Sequence, residues 1–303
     1  MAQFKGSIVA LVSPFKNGAV DFDAYQRLVE WHVESGTHGI VPCGTTGETP
    51  TISEDEHKKL IDACIEAATG RVKVIAGAGS NATDTAIDFA RHAEKAGADG
   101  ILVVTPYYNK PTQEGMYQHF KAVHDAVKVP IILYNVPGRT GVELDVDTTV
   151  RLANDLPRIA GIKDASVDLS RPLQMRTAIE KPFALISGED ATVAAYLAQG
   201  GDGCISVTAN VAPALCAQLH NSWMEKDWET FTRVRDVLLP LHKALFMEPN
   251  PSPAKYCLSR LGRCEEDVRM PLMPVLPETR AVLDEAMKHA GLFDAMPAKQ
   301  AAG

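Results

Sequence analysis

The sequence has no long apolar run. No stretch approaches the ~18 apolar residues of a membrane span, and Met1-Ala-Gln-Phe-Lys-Gly-Ser7 lacks the apolar core of a signal peptide, so no membrane partner is expected. It has no CxxC pair either. The six cysteines, at 43, 64, 204, 216, 257 and 264, are scattered, which suits reduced thiols better than disulfides or zinc and fits a cytoplasmic protein. The HExxH pattern is missing, and none of the nine histidines has metal-ligand spacing, so no metal is expected. GxxxxGK[ST] is also missing, and Gly77-Ala-Gly79 has no third glycine, which leaves no nucleotide cofactor to expect. Positive charge is in short supply. The 30 Lys and Arg stand against 38 Asp and Glu, a net charge of -8, without a basic run interleaved with aromatics, so nucleic acid is excluded as a partner.

What is present is an alternation. The 303 residues, 46% hydrophobic and 22% charged, suffice for one large domain with an appendage. Strand-like runs fall at Ser7–Val12, His38–Val41, Val72–Ala76, Gly100–Val104, Pro130–Asn135, Arg158–Lys163, Phe183–Ser187 and Gly203–Val207. Between them lie amphipathic stretches such as Asp23–Ser35, Glu54–Ala68, Thr83–Ala96 and Gln113–Val127. Ser53 and Glu56 read as a capping box, and Gly70 and Gly97 fall just past helix ends. Eight unbroken strand-then-helix units predict an α/β fold, a closed parallel (β/α)8 TIM barrel over residues 1–224. Strands stop near residue 225. Trp228–Leu245, Pro253–Leu261 and Glu278–Ala290 read as a C-terminal helical extension, residues 225–303, with a frayed tail from 297 to 303.

In such a barrel the chemistry sits on the loops after the strands. Lys163 ends the sixth apolar run, where an ammonium is half buried. If the segment is extended, Ile159, Gly161 and Lys163 share one face, and Gly161 leaves open space before the amine. Lys163 reads either as an imine-forming nucleophile or as the partner of Asp164 or Glu189. The first needs activation, because at pH 7 roughly one lysine in 2,500 is neutral at an ordinary pKa of about 10.4. Thr45 and Thr46, between glycines, suit an anion site or a tight turn. Tyr108 and Tyr134 are proton carriers or packing, and Arg139 is a carboxylate fork or a surface ion pair.

In order along the chain, Gly44-Thr-Thr-Gly-Glu48, Val104-Thr-Pro-Tyr-Tyr108, Tyr134-Asn-Val-Pro-Gly-Arg-Thr-Gly141, Gly161-Ile-Lys163 and Phe246-Met-Glu-Pro-Asn-Pro251 resemble the 4-hydroxy-tetrahydrodipicolinate synthase family of pyruvate-dependent class I aldolases. The resemblance covers nearly the whole chain. It implies a lyase of lysine and diaminopimelate biosynthesis that condenses pyruvate with aspartate 4-semialdehyde through a Schiff base on Lys163. Thr46 would hold the pyruvate carboxylate, Thr45 would link two tyrosines in a proton relay, and Tyr134 would exchange protons beside the imine. Tyr108 would come from a neighbouring subunit of a homo-oligomer, a tetramer built as a dimer of dimers. Arg139 would receive the second substrate's carboxylate, Ile205 would contact pyruvate through its backbone, and Gly188 would line the pocket.

His57, Asn81 and Tyr107 match a lysine-effector site, but Glu54 and Thr85 replace a histidine and an acid of the sensitive pattern, so lysine inhibition is expected to be weak or absent. Asp164 stands where the family often has Glu, a change expected to be neutral on a polar loop. The competing resemblance is a sister aldolase, N-acetylneuraminate lyase or a keto-deoxy sugar acid lyase, which generally lacks arginine at position 139. A remoter one is a non-catalytic barrel that binds a keto acid.

Overall fold

The computed structural model describes residues 3–293, and the tail expected at 297–303 lies outside them. β1 (Gly6–Ala10) leads into a hairpin of β2 (Phe15–Lys16) and β3 (Ala19–Val20), then α1 (Phe22–Glu34) and β4 (Gly39–Val41). Next come α2 (Glu54–Ala68), β5 (Lys73–Gly77), α3 (Thr83–Ala96), β6 (Gly100–Val104), α4 (Gln113–Ala126) and β7 (Ile131–Asn135). The chain continues through α5 (Pro137–Thr140), α6 (Val146–Asp155), β8 (Ile159–Asp164), α7 (Arg171–Ala178), β9 (Ala184–Ser187), α8 (Val193–Ala198) and β10 (Gly203–Ser206). It closes with α9 (Pro213–Glu225), α10 (Trp228–Ala244), α11 (Ser252–Arg260) and α12 (Pro277–His289).

The strands hydrogen-bond in the order β1-β10-β9-β8-β7-β6-β5-β4 and close into a barrel, with neighbours in parallel. This is the TIM barrel expected from the alternation. Its strands are buried on both faces, which is why they read as apolar runs instead of alternating patterns. By contacts the chain forms two compact units. Among the described residues, one comprises 3–8, His38–Val41 and Val72–Ser206; the other comprises Val9–Thr37, Pro42–Arg71 and 207–293.

Helix ends match the sequence where capping chemistry marks them. Glu54–Ala68 begins after a capping box in which the Ser53 side chain accepts from Glu56 N while Glu56 accepts from Ser53 N, and Gly97 ends Thr83–Ala96 in the left-handed conformation. The β2–β3 hairpin escapes the apolar periodicity. Its signal is Asn17-Gly18, both with positive φ (52° and 80°), the turn pair that two-residue hairpins favour.

Three local expectations about β8 are corrected. Ile131 pairs with Ile159 but Ile132 pairs with Gly161, so a bulge at Ala160 turns Ile159 to the opposite face from Gly161 and Lys163. A Cβ on Gly161 would meet the Ala184 carbonyl oxygen at 2.7 Å, so this glycine admits the neighbouring strand and leaves no ligand space. Asp164 is the last strand residue, 3% exposed, and not part of a polar loop.

Candidate active site

Strand register brings the first pair of site residues together. Lys163 stands opposite Tyr134 across β7 and β8, one step before the strand ends, with Ile186 on its other side. The lysine is 6% exposed, buried more deeply than its place at a strand end suggests. Its Nζ lies 4.2 Å from the centroid of the Tyr134 ring, and no carboxylate among the described residues pairs with it. The alternative reading as an ion-paired lysine therefore fails for both candidate partners. Glu189 folds back on its own loop, accepting from Ala191 N at 3.3 Å, and burial raises its carboxyl above the ordinary range.

Asp164 belongs to a separate buried network. Arg171 Nε donates to its Oδ2 at 2.7 Å, while Ser166 N and Asn135 Nδ2 donate to Oδ1 at 2.9 and 3.3 Å. Arg171 also donates through Nη2 to Leu144 O and through Nη1 to Glu143 Oε1, and Asn135 Oδ1 accepts from Leu144 N. Lys163 and Tyr134 thus each precede a residue of one network that ties β7, β8 and the start of α7. Neither Asn135 nor Arg171 was singled out from the sequence. Arg171 is seven residues past Asp164 and across a turn, a separation that carries no local pattern.

Gly188 supplies room at the amine. A Cβ there would lie 3.2 Å from Lys163 Cε and 2.7 Å from Ala165 Cβ, so no larger residue fits beside the lysine's stem. Ile205 is buried on β10, and the next residue, Ser206, donates from Oγ to Asp190 Oδ1 at 2.5 Å. On the loops, Arg139 lies in the short helix α5, is exposed, and makes no ion pair among the described residues. Asn109 Nδ2 donates to Asn81 O at 2.9 Å, joining the loops after β6 and β5. Tyr107 is partly exposed, whereas Tyr108 is 89% exposed with a positive φ of 70°, a strained conformation for an aromatic residue that nothing among the described residues covers.

Within the other compact unit, the turn after β4 is a single 3₁₀ turn over Thr45–Gly47 that ends at Glu48 with φ 56°. Thr46 is buried, and its Oγ1 accepts from Asn250 Nδ2 at 3.0 Å; Thr45 is half-buried. The Glu48 carboxylate pairs with Lys255 Nζ at 2.5 Å and accepts from Arg269 N at 2.9 Å. Burial pushes the Lys255 ammonium down, against the opposing pull of Glu48. His57, 1% exposed, lies on α2 of the same unit. Asn250 and Lys255 were not foreseen either. The hint for Lys255 is a lone charge in the otherwise apolar Pro253-Ala-Lys-Tyr-Cys-Leu258.

Chemically, one unit offers, among the described residues, a buried amine without a counter-ion, a phenol ring beneath it and an unpaired guanidinium. The other offers an oriented threonine hydroxyl. Among the described residues no group of three or more His, Cys, Asp or Glu could hold a metal ion, and no helix is long and apolar enough to cross a membrane.

Residues 3–290 match the model of the dihydrodipicolinate synthetase family. The chain is 56% identical over 292 residues to a 4-hydroxy-tetrahydrodipicolinate synthase of Bradyrhizobium diazoefficiens, covering 96% of this chain and 98% of that one. Among solved structures it is similar to the chloride-inhibited dihydrodipicolinate synthase of Acinetobacter baumannii complexed with pyruvate (TM-score 0.92, 46% identity, 95% and 99% of the two chains). It is also similar to a monomeric dihydrodipicolinate synthase variant (TM-score 0.93, 42% identity, 95% and 97%).

Proposed function

The chain belongs to the dihydrodipicolinate synthetase family, and from that premise we propose that it condenses pyruvate with L-aspartate 4-semialdehyde to 4-hydroxy-tetrahydrodipicolinate, in lysine and diaminopimelate biosynthesis. The observation that carries the reading is Lys163, a buried amine at a barrel strand's end with a phenol ring beneath it and no carboxylate partner among the described residues. A lysine so placed has no structural pairing to account for its burial, whereas an imine-forming nucleophile needs that isolation.

Lys163 Nζ attacks the pyruvate carbonyl and water leaves, giving the imine. Loss of a methyl proton gives an enamine whose carbon attacks the aldehyde of the semialdehyde. The semialdehyde's own amine then displaces Lys163 as the ring closes. Protons move at each step, and we assign them to Tyr134, Thr45 and Tyr108, the last supplied by a neighbouring subunit. Thr46 takes the pyruvate carboxylate, Arg139 the semialdehyde carboxylate, and Gly188 and the Ile205 backbone line the pyruvate pocket. The exposed, strained Tyr108 supports an oligomer, which we propose to be a homotetramer in the cytoplasm. His57, Asn81 and Tyr107 are the candidate effector residues. With Glu54 and Thr85 beside them in sequence, lysine should inhibit weakly or not at all, and a micromolar inhibition constant would overturn that part.

The test measures pyruvate consumption by the purified protein with aspartate 4-semialdehyde, and separately with N-acetylmannosamine. Turnover with the semialdehyde alone is expected. Turnover with the sugar alone would assign a sister aldolase instead, and failure of borohydride to trap pyruvate on Lys163 would remove the imine.

A further inference from the structure

We propose that Asn250, just before α11, and Lys255, in its first turn, are positioning residues that set the Thr46 hydroxyl for an anionic substrate; this rests on the reading that Thr46 binds the pyruvate carboxylate. A threonine hydroxyl has one proton to give and two lone pairs to accept with. The Asn250 Nδ2 donates to Thr46 Oγ1 at 3.0 Å, and an amide nitrogen cannot accept. Thr46 is therefore the acceptor in this contact, and its own proton points away from Asn250, free to donate to a carboxylate. Asn250 is buried, and its Oδ1 has no partner among the described residues, so the Thr46 contact is what fixes the direction of the amide. A reversed amide would claim the threonine proton.

Lys255 fixes the turn itself. Glu48 closes the Thr45–Gly47 turn two residues after Thr46, in a left-handed conformation, with its N donating to Thr45 O at 3.1 Å. Its carboxylate is almost fully buried and is held by Lys255 Nζ at 2.5 Å. Lys255 is completely buried, donates also to Asp267 O at 2.7 Å, and lies 3.9 Å from the centroid of the Phe15 ring. A buried ion pair contributes little net stability but tolerates few geometries, so its effect is to hold one conformation of the turn. Asn250 and Lys255 are five residues apart, and one short segment thus grips both the hydroxyl and the turn that carries it.

The experiment compares the wild type with Asn250→Ala, Asn250→Asp, Lys255→Met and Lys255→Met/Glu48→Gln. It reads the half-saturating pyruvate concentration for borohydride trapping, KM for each substrate, kcat and the melting temperature. Asn250→Ala should raise the pyruvate requirement roughly tenfold, and Asn250→Asp, which accepts the threonine proton and adds like charge, roughly a hundredfold. KM for the semialdehyde should stay within about twofold, since uniform weakening of one substrate leaves the other untouched. Lys255→Met should raise the pyruvate requirement too, and adding Glu48→Gln should recover part of the loss by removing the stranded carboxylate.

In a Thr46→Val background, Asn250→Ala should add nothing to the pyruvate requirement, whereas a merely structural role would add its effect in either background. An Asn250→Asp enzyme with wild-type pyruvate KM, or additivity of Asn250→Ala with Thr46→Val, overturns the proposal while leaving the proposed function standing. Absence of trapping in the wild type overturns both, and trapping without semialdehyde turnover overturns only the choice of aldehyde.

Discussion

At Lys163 the decisive quantity is which charges stand beside the amine. Asp164 follows it in sequence, but successive side chains of a strand point to opposite faces, and the carboxylate is taken up by Arg171, Asn135 and Ser166 N. The lysine is left to the Tyr134 ring. Lys163→Ala should therefore abolish turnover and borohydride trapping with little change in melting temperature, since it removes no ion pair; normal kcat would end the imine mechanism. Asp164 behaves oppositely. Asp164→Ala strands an Arg171 side chain that is 6% exposed, and should cost about 3 kcal/mol in urea unfolding, near the lower end for breaking a buried pair. A cost below about 0.5 kcal/mol, the level of a surface change, would show the network to be incidental. The same residues mark the limit of the sequence. Lys163 was legible because a charge ending an apolar run is visible locally, whereas the neutrality expected for Asp164 assumed a solvated loop, and its contact with Arg171 forms only once β8 has turned into α7.

Helices and strands show the same division between local and distant causes. The start of α2 and the end of α3 were legible to the residue because caps are local chemistry, while the bulge at Ala160 depends on a pairing partner that periodicity does not contain. Two helices also carry a pH dependence. His119 on α4 and His32 on α1 are buried with one ring nitrogen each beside a threonine hydroxyl, and burial lowers their pKa to about 4 and about 3. An unfolded imidazole takes up its proton near 6.5, well before the folded one does, so the unfolded state binds protons first as the pH falls. Stability present above pH ~6.5 should then be lost toward pH ~4, by up to about 1.4 kcal/mol per pH unit for each histidine. Urea midpoints measured between those limits should fall accordingly, and His119→Gln should flatten the slope. An unchanged slope would mean that His119 protonates without penalty in the fold.

For the whole molecule, the closed barrel was readable because eight apolar runs in unbroken alternation admit few topologies, but the grouping of residues into compact units was not. Those units combine segments far apart in the chain, among them Val9–Thr37 with residues 207–293, and sequence order does not convey that. We keep the division into a catalytic domain over 1–224 and a helical extension over 225–303 as a proposal about function alone. Assembly is the question this scale leaves to experiment, and Tyr108 makes it testable. If Tyr108 serves the neighbouring subunit, each site takes its lysine from one chain and its tyrosine from another. Lys163→Ala and Tyr108→Ala proteins are then each poorly active, yet a mixed pair contains one site with both groups intact. Co-refolding the two variants in equal amounts should give half mixed pairs, with one of two sites restored in each, so about one quarter of wild-type activity. If Tyr108 serves its own chain, no pairing creates a complete site, and the mixture cannot exceed the mean of the two variants. The outcome is read from one rate against two controls, and it separates a shared site from a self-contained one whatever the final number of subunits.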